Sequence, residues 1–233
     1  MYAWLEFICW VLLAVVCALF VPGLERRRRC VRFCARMPFV FAGIRIRIRG
    51  LEKIPSGDCI VVANHASYLD GVLLQACLPT KFSYVIKGEM QRVPGVGFLL
   101  KRIGARFVER FDTSASARDA RQLLRAARAG ESLAIFPEGT FLETPGLGRF
   151  RNGAFAAAIS ADLPVVPLVI SGSRQIFPGG AYLPRHGHVR IDILNPIDRS
   201  SPAFGGSREL AASARRAILA VLDEPDLLAG STD

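Results

Sequence analysis

The chain contains 233 residues, about half of them hydrophobic (51%), and carries a formal net charge of +10. This length is typical of one domain, or of one domain with an appendage, and the apolar content is ample for a large core. The basic excess favours a nucleic acid, an anionic membrane or a phosphorylated substrate as partner without choosing among them. The six cysteines include no C-x-x-C pair, which excludes that zinc or redox motif, so we expect reduced, mostly buried thiols and no metal.

The N-terminal segment, residues 1–43, has the composition of a membrane anchor of one or two helices. Residues 7–21 carry no charge, and roughly 20 apolar residues cross a bilayer. Four arginines follow at 26–29. Arginines beside an apolar helix stay on the cytoplasmic side, so we predict that the protein lies at the cytoplasmic face of the inner (plasma) membrane. A cleaved signal peptide is disfavoured because its positive charge would precede the apolar run. Aromatic and basic residues at 32–41 also fit an interfacial helix, so spanning and interfacial docking both stay open.

Residues 44–49 alternate isoleucine and arginine, which predicts a half-buried strand. Its arginines are interpreted either as a solvated edge or as a basic face toward lipid headgroups. Beyond Gly50, strands and helices alternate. We predict strands over 59–63, 82–86, 105–108, 132–136, 165–170 and 189–193, and helices over 70–77, 96–102, 115–129, 152–161 and 208–222. This order indicates an α/β domain over 44–225, with a mostly parallel central sheet flanked by helices, and a flexible tail over 226–233.

Polar residues follow several predicted strands, where α/β sheets place their chemistry. His65 and Asp70 follow the strand that ends at Ala63. If Asp70 lies in the first turn of the next helix, its carboxylate can orient the imidazole and leave Nε2 free as a base. Alternatively, Asp70 is a helix cap beside a core histidine. Backbone N–H groups at that helix start are expected to stabilise an oxyanion.

Two further segments offer ligand-binding groups. Arg110 follows the strand ending at Val108 and can bind phosphate or pair with Glu109. Glu138 and Thr140 flank a glycine after the strand ending at Phe136, in what is otherwise an ordinary turn. The sequence contains no G-x-S-x-G, no G-x-x-x-x-G-K-[ST] and no strand-linked G-x-G-x-x-G, which argues against a serine hydrolase, an NTPase and a dehydrogenase.

Taken together, four segments resemble, in order and spacing, the motifs of the glycerolipid acyltransferases, the family of bacterial lysophosphatidic acid acyltransferases. They are NHASYLD at 64–70, GARFVER at 104–110, FPEGT at 136–140 and VPLV at 166–169. The resemblance covers roughly residues 51–193 and includes KGEM at 87–90 and VPGVG at 93–97. It is specific to the family, though not to one substrate.

The resemblance implies a role for each matching residue. His65 is the general base and Asp70 orients it. Acceptor and phosphate binding fall to Gly104, Phe107, Arg110, Glu138, Gly139 and Thr140, and the acyl-donor side to Val166 and Pro167. It also implies acyl-CoA or acyl carrier protein as co-substrate, a lysolipid acceptor, the lipid bilayer as partner, and no metal or other cofactor. The expected reaction converts lysophosphatidic acid to phosphatidic acid.

One residue departs from the family pattern. The third motif usually continues with an arginine after the threonine, but this chain has Phe141. Either Arg149 or Arg151 replaces the missing phosphate contact, or the acceptor is another lysophospholipid or a lyso-aminolipid. A non-catalytic membrane adaptor is a further alternative, against which the intact His65 and Asp70 count. A nucleic-acid binder is disfavoured by the apolar N-terminus and the lack of aromatics among the basic runs.

Overall fold

The computed structural model describes residues 2–108, 113–141, 144–179, 181 and 183–229. Its strands are β1 (Arg45–Arg49), β2 (Ile60–Ala63), β3 (Phe82–Lys87), β4 (Arg106–Val108), β5 (Ser132–Ile135), β6 (Val165–Ser171) and β7 (His188–Ile193). Its α-helices are α1 (Tyr2–Phe20), α2 (Leu24–Phe41), α3 (Leu69–Cys77), α4 (Val96–Arg102), α5 (Thr113–Arg128), α6 (Gly153–Ala161), α7 (Ser173–Ile176) and α8 (Ser207–Leu219). Short 3₁₀ helices cover Leu51–Lys53, Gly88–Arg92 and Pro202–Gly205.

The strands form one sheet in the order β1-β7-β6-β2-β5-β3-β4. Only the β6–β7 pairing is antiparallel among the described strands, so β1 and β7 run opposite to the other five. The predicted mostly parallel α/β sheet with flanking helices is therefore confirmed. The carboxyl ends of β2, β5 and β6 meet at one edge, which brings their following loops together.

Burial of each strand follows its place in the sheet. Every residue of β2 and β5 is buried because both strands have neighbours on each side and helices on each face. Strand β1 lies at the sheet edge and alternates exposed arginine with half-buried isoleucine. Two core layers result. One includes α5, α6 and α8, and the other includes α3 and the end of α2.

The N-terminal segment forms two helices, α1 and α2, which contact each other along their lengths. The sequence leaves a spanning and an interfacial anchor open; within the described residues, no helix combines the length and apolarity needed to cross a bilayer. An apolar face of α1 is nevertheless solvent-exposed, and it carries Leu5, Ile8, Leu12, Leu13, Val16, Leu19 and Phe20.

The run of arginines at 26–29 divides between surface and interior. Arg26 and Arg29 are exposed, whereas Arg28 is buried. The Arg28 guanidinium donates to the carbonyls of Ile103, Thr80 and Lys81 and to the Ser83 hydroxyl, over 2.7–3.2 Å. Burial lowers the pKa of this group. The expected attraction to lipid therefore applies to the exposed members of the run, while Arg28 attaches α2 to the sheet domain.

The predicted flexible tail begins with residues that contact the domain. Asp226 forms an ion pair with Arg215, whose hydrogen bonds lower the pKa of Asp226 to about 2. Leu147 donates its N–H to the Pro225 carbonyl at 2.9 Å, and Leu227 donates to the Leu147 carbonyl at 3.3 Å. The segment 225–227 thus lies along the loop that follows the third motif.

We expect Arg28→Ala to lower the free energy of unfolding by about 2–4 kcal/mol, because it leaves buried acceptors without a donor. Arg29→Ala is the matched control, since this neighbouring side chain is 62% exposed and makes only a 3.5 Å ion pair with Glu25. Denaturant unfolding in detergent measures the free energy of unfolding of wild type and of both variants. Equal stability of the two would contradict the attachment role of Arg28.

Candidate active site

The candidate site begins where β2 ends, at Asn64. The Asn64 side chain accepts from the Ile170 N–H at 2.7 Å and donates to the Ile170 carbonyl at 2.9 Å. The backbone pairing of β2 with β6 ends at Ala63 and Leu168. The Asn64 side chain extends it by bonding to the backbone of β6. The loop after β2 therefore leaves the sheet from a fixed point, and His65 is the next residue.

His65 and Asp70 are in direct contact. Nδ1 of His65 lies 3.0 Å from Oδ2 of Asp70, and the side chains are 16% and 0% exposed. Asp70 stands in the first turn of α3, where the helix dipole favours a negative charge. The predicted pairing of these two residues is found.

The protonation pattern follows from the other partners of Asp70. Oδ2 also accepts from the Ala66 N–H at 2.6 Å and from the Ser67 N–H at 2.8 Å. An oxygen that already accepts two N–H bonds is an acceptor for His65 as well, so Nδ1 carries the proton and Nε2 holds a free lone pair. The expected use of these N–H groups for an oxyanion is therefore wrong for Ala66 and Ser67, since both donate to Asp70.

Aromatic rings enclose the imidazole. Phe136 stacks on His65 with a centroid distance of 4.2 Å and an interplanar angle of 17°. Phe141 meets the imidazole edge-on at 5.0 Å, and Tyr68 contacts Phe141 at 4.6 Å. The residue that departs from the family pattern thus touches the candidate base. Apolar walls on two sides limit the access of water to the imidazole.

Glu138 contacts backbone rather than open space. Its Oε1 accepts from the His65 N–H and its Oε2 accepts from the Gly148 N–H, both at 2.8 Å. Burial raises the pKa of this carboxyl, and the two backbone hydrogen bonds oppose that rise. Glu138 therefore ties the third-motif loop to the candidate base.

The other predicted residues of the third motif lie nearby. Gly139 has φ +86°, and a Cβ there would lie 2.8 Å from Nε of Arg151, so the Arg151 side chain lies directly on this glycine. Thr140, Arg149 and Arg151 are exposed. These residues offer polar groups at the carboxyl end of β5.

The second motif lies further along the sheet. Phe107 is half-buried in β4, three strand spacings from β2, or roughly 14 Å. A Cβ on Gly104 would lie 2.9 Å from Nη2 of Arg28, so this glycine makes room for the buried guanidinium. Arg110, and Glu109 beside it, lie outside the described residues.

Val166 and Pro167 lie in the middle of β6 and are buried. They pair with Val61 and Val62 of β2. The structure therefore places them in the core beneath the site, and it does not bring them into contact with His65 or Asp70 by any described hydrogen bond or ring contact.

Comparison with known proteins gives the family. The Acyltransferase family model matches residues 45–171, more than half of the chain. The chain belongs to the Acyltransferase family. This confirms the family resemblance carried by the four motifs.

Two relatives by sequence and one solved structure illustrate what this Acyltransferase-family chain is similar to. It is 33% identical to the chloroplastic 1-acyl-sn-glycerol-3-phosphate acyltransferase BAT2 of Brassica napus over 64% of the chain, but spans only 44% of that protein. It is 31% identical to a lyso-ornithine lipid O-acyltransferase of Pseudomonas aeruginosa, over 80% of the chain and 74% of the relative. The crystal structure of the 1-acyl-sn-glycerophosphate (LPA) acyltransferase PlsC from Thermotoga maritima shares the fold, with a TM-score of 0.77, 23% identity, and coverage of 93% and 92%.

Sequence reasoning missed several residues that position this candidate site. Asn64 carried a signal, because it is a polar residue directly after a buried strand. Phe136 lay in the quoted motif, but nothing in a linear sequence showed that its ring stacks on His65. Arg215 donates to the carbonyls of Leu147 and Gly148 at 2.8 Å from a helix 67 residues away, and no local pattern announces such a contact.

We expect Glu138→Ala to lower the free energy of unfolding by about 2–4 kcal/mol, because two backbone N–H groups lose their acceptor. The loss depends on pH. The folded-state pKa of Glu138 is raised, so wild-type stability is fullest below the ordinary carboxyl pKa and falls as pH rises through the folded value. The difference between wild type and Glu138→Ala therefore narrows with rising pH.

Denaturant unfolding at acid and neutral pH measures this difference. Glu52→Ala is the control, because Glu52 is exposed on a 3₁₀ turn. A Glu138→Ala protein as stable as that control would show that Glu138 does not hold the loop as described. A stability difference that widens with pH would show that the folded-state pKa of Glu138 is not raised.

Proposed function

We propose that this chain is an O-acyltransferase that moves a fatty acyl group from acyl-CoA or acyl carrier protein to the free hydroxyl of lysophosphatidic acid, giving phosphatidic acid. The observation that carries the proposal is the 3.0 Å contact between Nδ1 of His65 and Oδ2 of the fully buried Asp70. It leaves Nε2 as the proton acceptor of the pair.

The proposed reaction uses this geometry. Nε2 of His65 removes the hydroxyl proton as the acceptor oxygen attacks the thioester carbonyl. The Asp70 carboxylate stabilises the imidazolium that forms. When the tetrahedral intermediate collapses, the C–S bond breaks and the imidazolium returns its proton to the leaving thiolate. A thioester is activated enough that no covalent enzyme intermediate is needed.

The rings of Phe136 and Phe141 support this role for His65. A stacked and an edge-on ring restrict the imidazole to one orientation. They also exclude water that would otherwise compete with the lipid hydroxyl for the thioester. The proposed site therefore favours transfer over hydrolysis.

The acceptor has a second candidate, a lyso-aminolipid such as lyso-ornithine lipid. Phe141 replaces a phosphate-binding arginine of the family pattern and lies 5.0 Å from His65. Relatives named for the two acceptors are 33% and 31% identical to this chain, so similarity does not favour one. Arg151, whose side chain lies on Gly139 of the third motif, is a cation that can serve the phosphate of lysophosphatidic acid.

The bilayer is the proposed source of the acceptor. The exposed apolar face of α1 would otherwise remain in contact with water, and such a face is typical of helices that lie in the membrane interface. The exposed Arg26 and Arg29 lie near the start of α2 and suit anionic headgroups.

We expect the purified protein to release thiol from oleoyl-CoA only when a lysolipid acceptor is present in vesicles, and His65→Ala to lower this turnover by at least about 10²-fold. His186→Ala is the control, because His186 is exposed and, among the described residues, its imidazole hydrogen-bonds only with the Ala42 carbonyl. Thiol release with lysophosphatidic acid and with lyso-ornithine lipid is the measurement.

Three outcomes would count against the proposal. Turnover by His65→Ala at the wild-type rate would show that His65 is not the general base. Silence of the wild type with both acceptors and both donors would favour a non-catalytic adaptor. Protein that stays in the supernatant when these vesicles are sedimented would contradict membrane docking.

We expect Phe141→Arg to lower the KM for lysophosphatidic acid about tenfold, the effect of one added arginine–phosphate contact. The KM for lyso-ornithine lipid should not fall. Phe141→Leu is the matched control, because it removes the ring without adding charge. A Phe141→Arg protein with no preference for the phosphate acceptor would show that this position does not face the headgroup.

A further inference from the structure

A basic face covers β1 and β7, the outer strands of the sheet. It reaches the end of the sheet where β2 and β6 finish and where His65 lies. Arg45, Arg47 and Arg49 project from one face of β1, opposite the isoleucines that contact the core. All three are exposed. Among the described residues, none of them takes part in an ion pair.

The strand register extends this face across three strands. Arg47 pairs in register with Arg190 of β7, and Arg190 pairs with Ser171 of β6. These three side chains therefore form one row, about 5 Å apart from strand to strand. On the same face, Asp192 lies in register with Arg49, and Asp192 and Asp223 pair with Arg190 at 2.7 Å and 3.3 Å. Among the described residues, the excess positive charge of the face therefore rests on Arg45, Arg47 and Arg49.

Protection of an exposed edge does not explain the whole face. Arginines on β1 can serve that purpose, because an unpaired edge invites aggregation. Strand β7, however, is paired on both sides and needs no such protection, yet it adds Arg190 and His188 to the same face. Like charges in register are unfavourable unless an anion lies between them.

A concavity of about 310 Å³ lies within this face. It is lined by Arg47, Arg49, Ser171, Gly172, His188, Val189 and Arg190. The Ser171 hydroxyl oxygen is buried here and has no partner among the described residues. A hydroxyl in that state, beside several guanidinium groups, suits a phosphoryl oxygen.

A short series of bonded residues connects the concavity to the candidate base. Ser171 follows Ile170, whose backbone is held by Asn64, and Asn64 precedes His65. The basic face and α1 lie on different sides of the sheet, because the isoleucines of β1 turn toward the core layer that includes α2. The lipid acceptor and a soluble, highly charged donor can therefore approach His65 from different sides.

We propose that this concavity binds the phosphoryl groups of the coenzyme A portion of an acyl-CoA donor. The inference rests on the proposed function and deepens it by naming the donor and its site. Coenzyme A carries a pyrophosphate and a 3′-phosphate, and a shallow basic concavity suits such compact groups. Its flexible pantetheine arm then extends along the strand ends and brings the thioester to His65.

The test compares Arg47→Gln/Arg49→Gln with wild type in the full-length protein. We expect the Kd for adenosine 3′,5′-bisphosphate, measured by calorimetry, to rise at least tenfold, since two arginine–phosphate contacts are lost. The KM for oleoyl-CoA should rise similarly. The KM for S-oleoyl-N-acetylcysteamine, a thioester without phosphates, should not change, and neither should the KM for the lysolipid.

Arg121→Gln/Arg125→Gln is the control, because it removes the same charge from two exposed positions on α5. The calorimetric measurement of nucleotide binding does not depend on turnover. It therefore tests this proposal even if the protein shows no acyltransferase activity. Unchanged nucleotide affinity in Arg47→Gln/Arg49→Gln overturns the proposal. So does a rise confined to the KM for lysophosphatidic acid, or one confined to acyl carrier protein as donor, because either result assigns the face to another anion.

Discussion

One oxygen atom, Oδ2 of Asp70, organises the turn between β2 and α3. It accepts hydrogen bonds from two backbone N–H groups and from the imidazole of His65, over 2.6–3.0 Å. Because Asp70 is fully buried, its negative charge depends on these three donors. The same bonds that stabilise the carboxylate therefore fix the start of the helix, the path of the loop and the proton on Nδ1. A change to any one of them alters the others.

A second set of contacts reaches this turn from the far end of the chain. Glu138 joins the His65 backbone to Gly148, and Arg215 of α8 donates to the carbonyls of Leu147 and Gly148. Glu224 accepts from the Gly146 N–H at 2.8 Å and pairs with Arg174. The loop after the third motif is thus held from both sides. Folding of the C-terminal helix and order in the candidate site are physically linked.

The N-terminal helices show how one sequence segment serves two environments. Arg28 is buried against the sheet domain, and the exposed face of α1 is apolar. A buried guanidinium with four acceptors is directional, so it sets where the helix pair lies relative to the sheet. That placement brings the apolar face to the outside. The open basic face of β1 and β7 lies on the other side of the sheet.

The sequence by itself determined the order of the elements and the family of the site. Periodicity placed every predicted strand and helix end within three residues of its observed position, because burial on a sheet or helix face imposes a period that any folded chain must obey. The pairing of His65 with Asp70 also followed from the sequence. The two residues are five apart across a strand-to-helix turn, so local structure alone can bring their side chains together.

Tertiary structure decided whatever depends on residues distant in the chain. The four arginines at 26–29 look alike in sequence, yet only the sheet domain distinguishes the buried Arg28 from the exposed Arg29. Glu138 is expected from the family resemblance to line the acceptor site, and no local pattern showed that its carboxylate also bonds backbone N–H groups 73 and 10 residues away. The alternating arginines of β1 acquired Arg190 and Ser171 as neighbours through strand register alone. Local pattern sets which face a side chain occupies, and only packing between distant segments sets what it meets there.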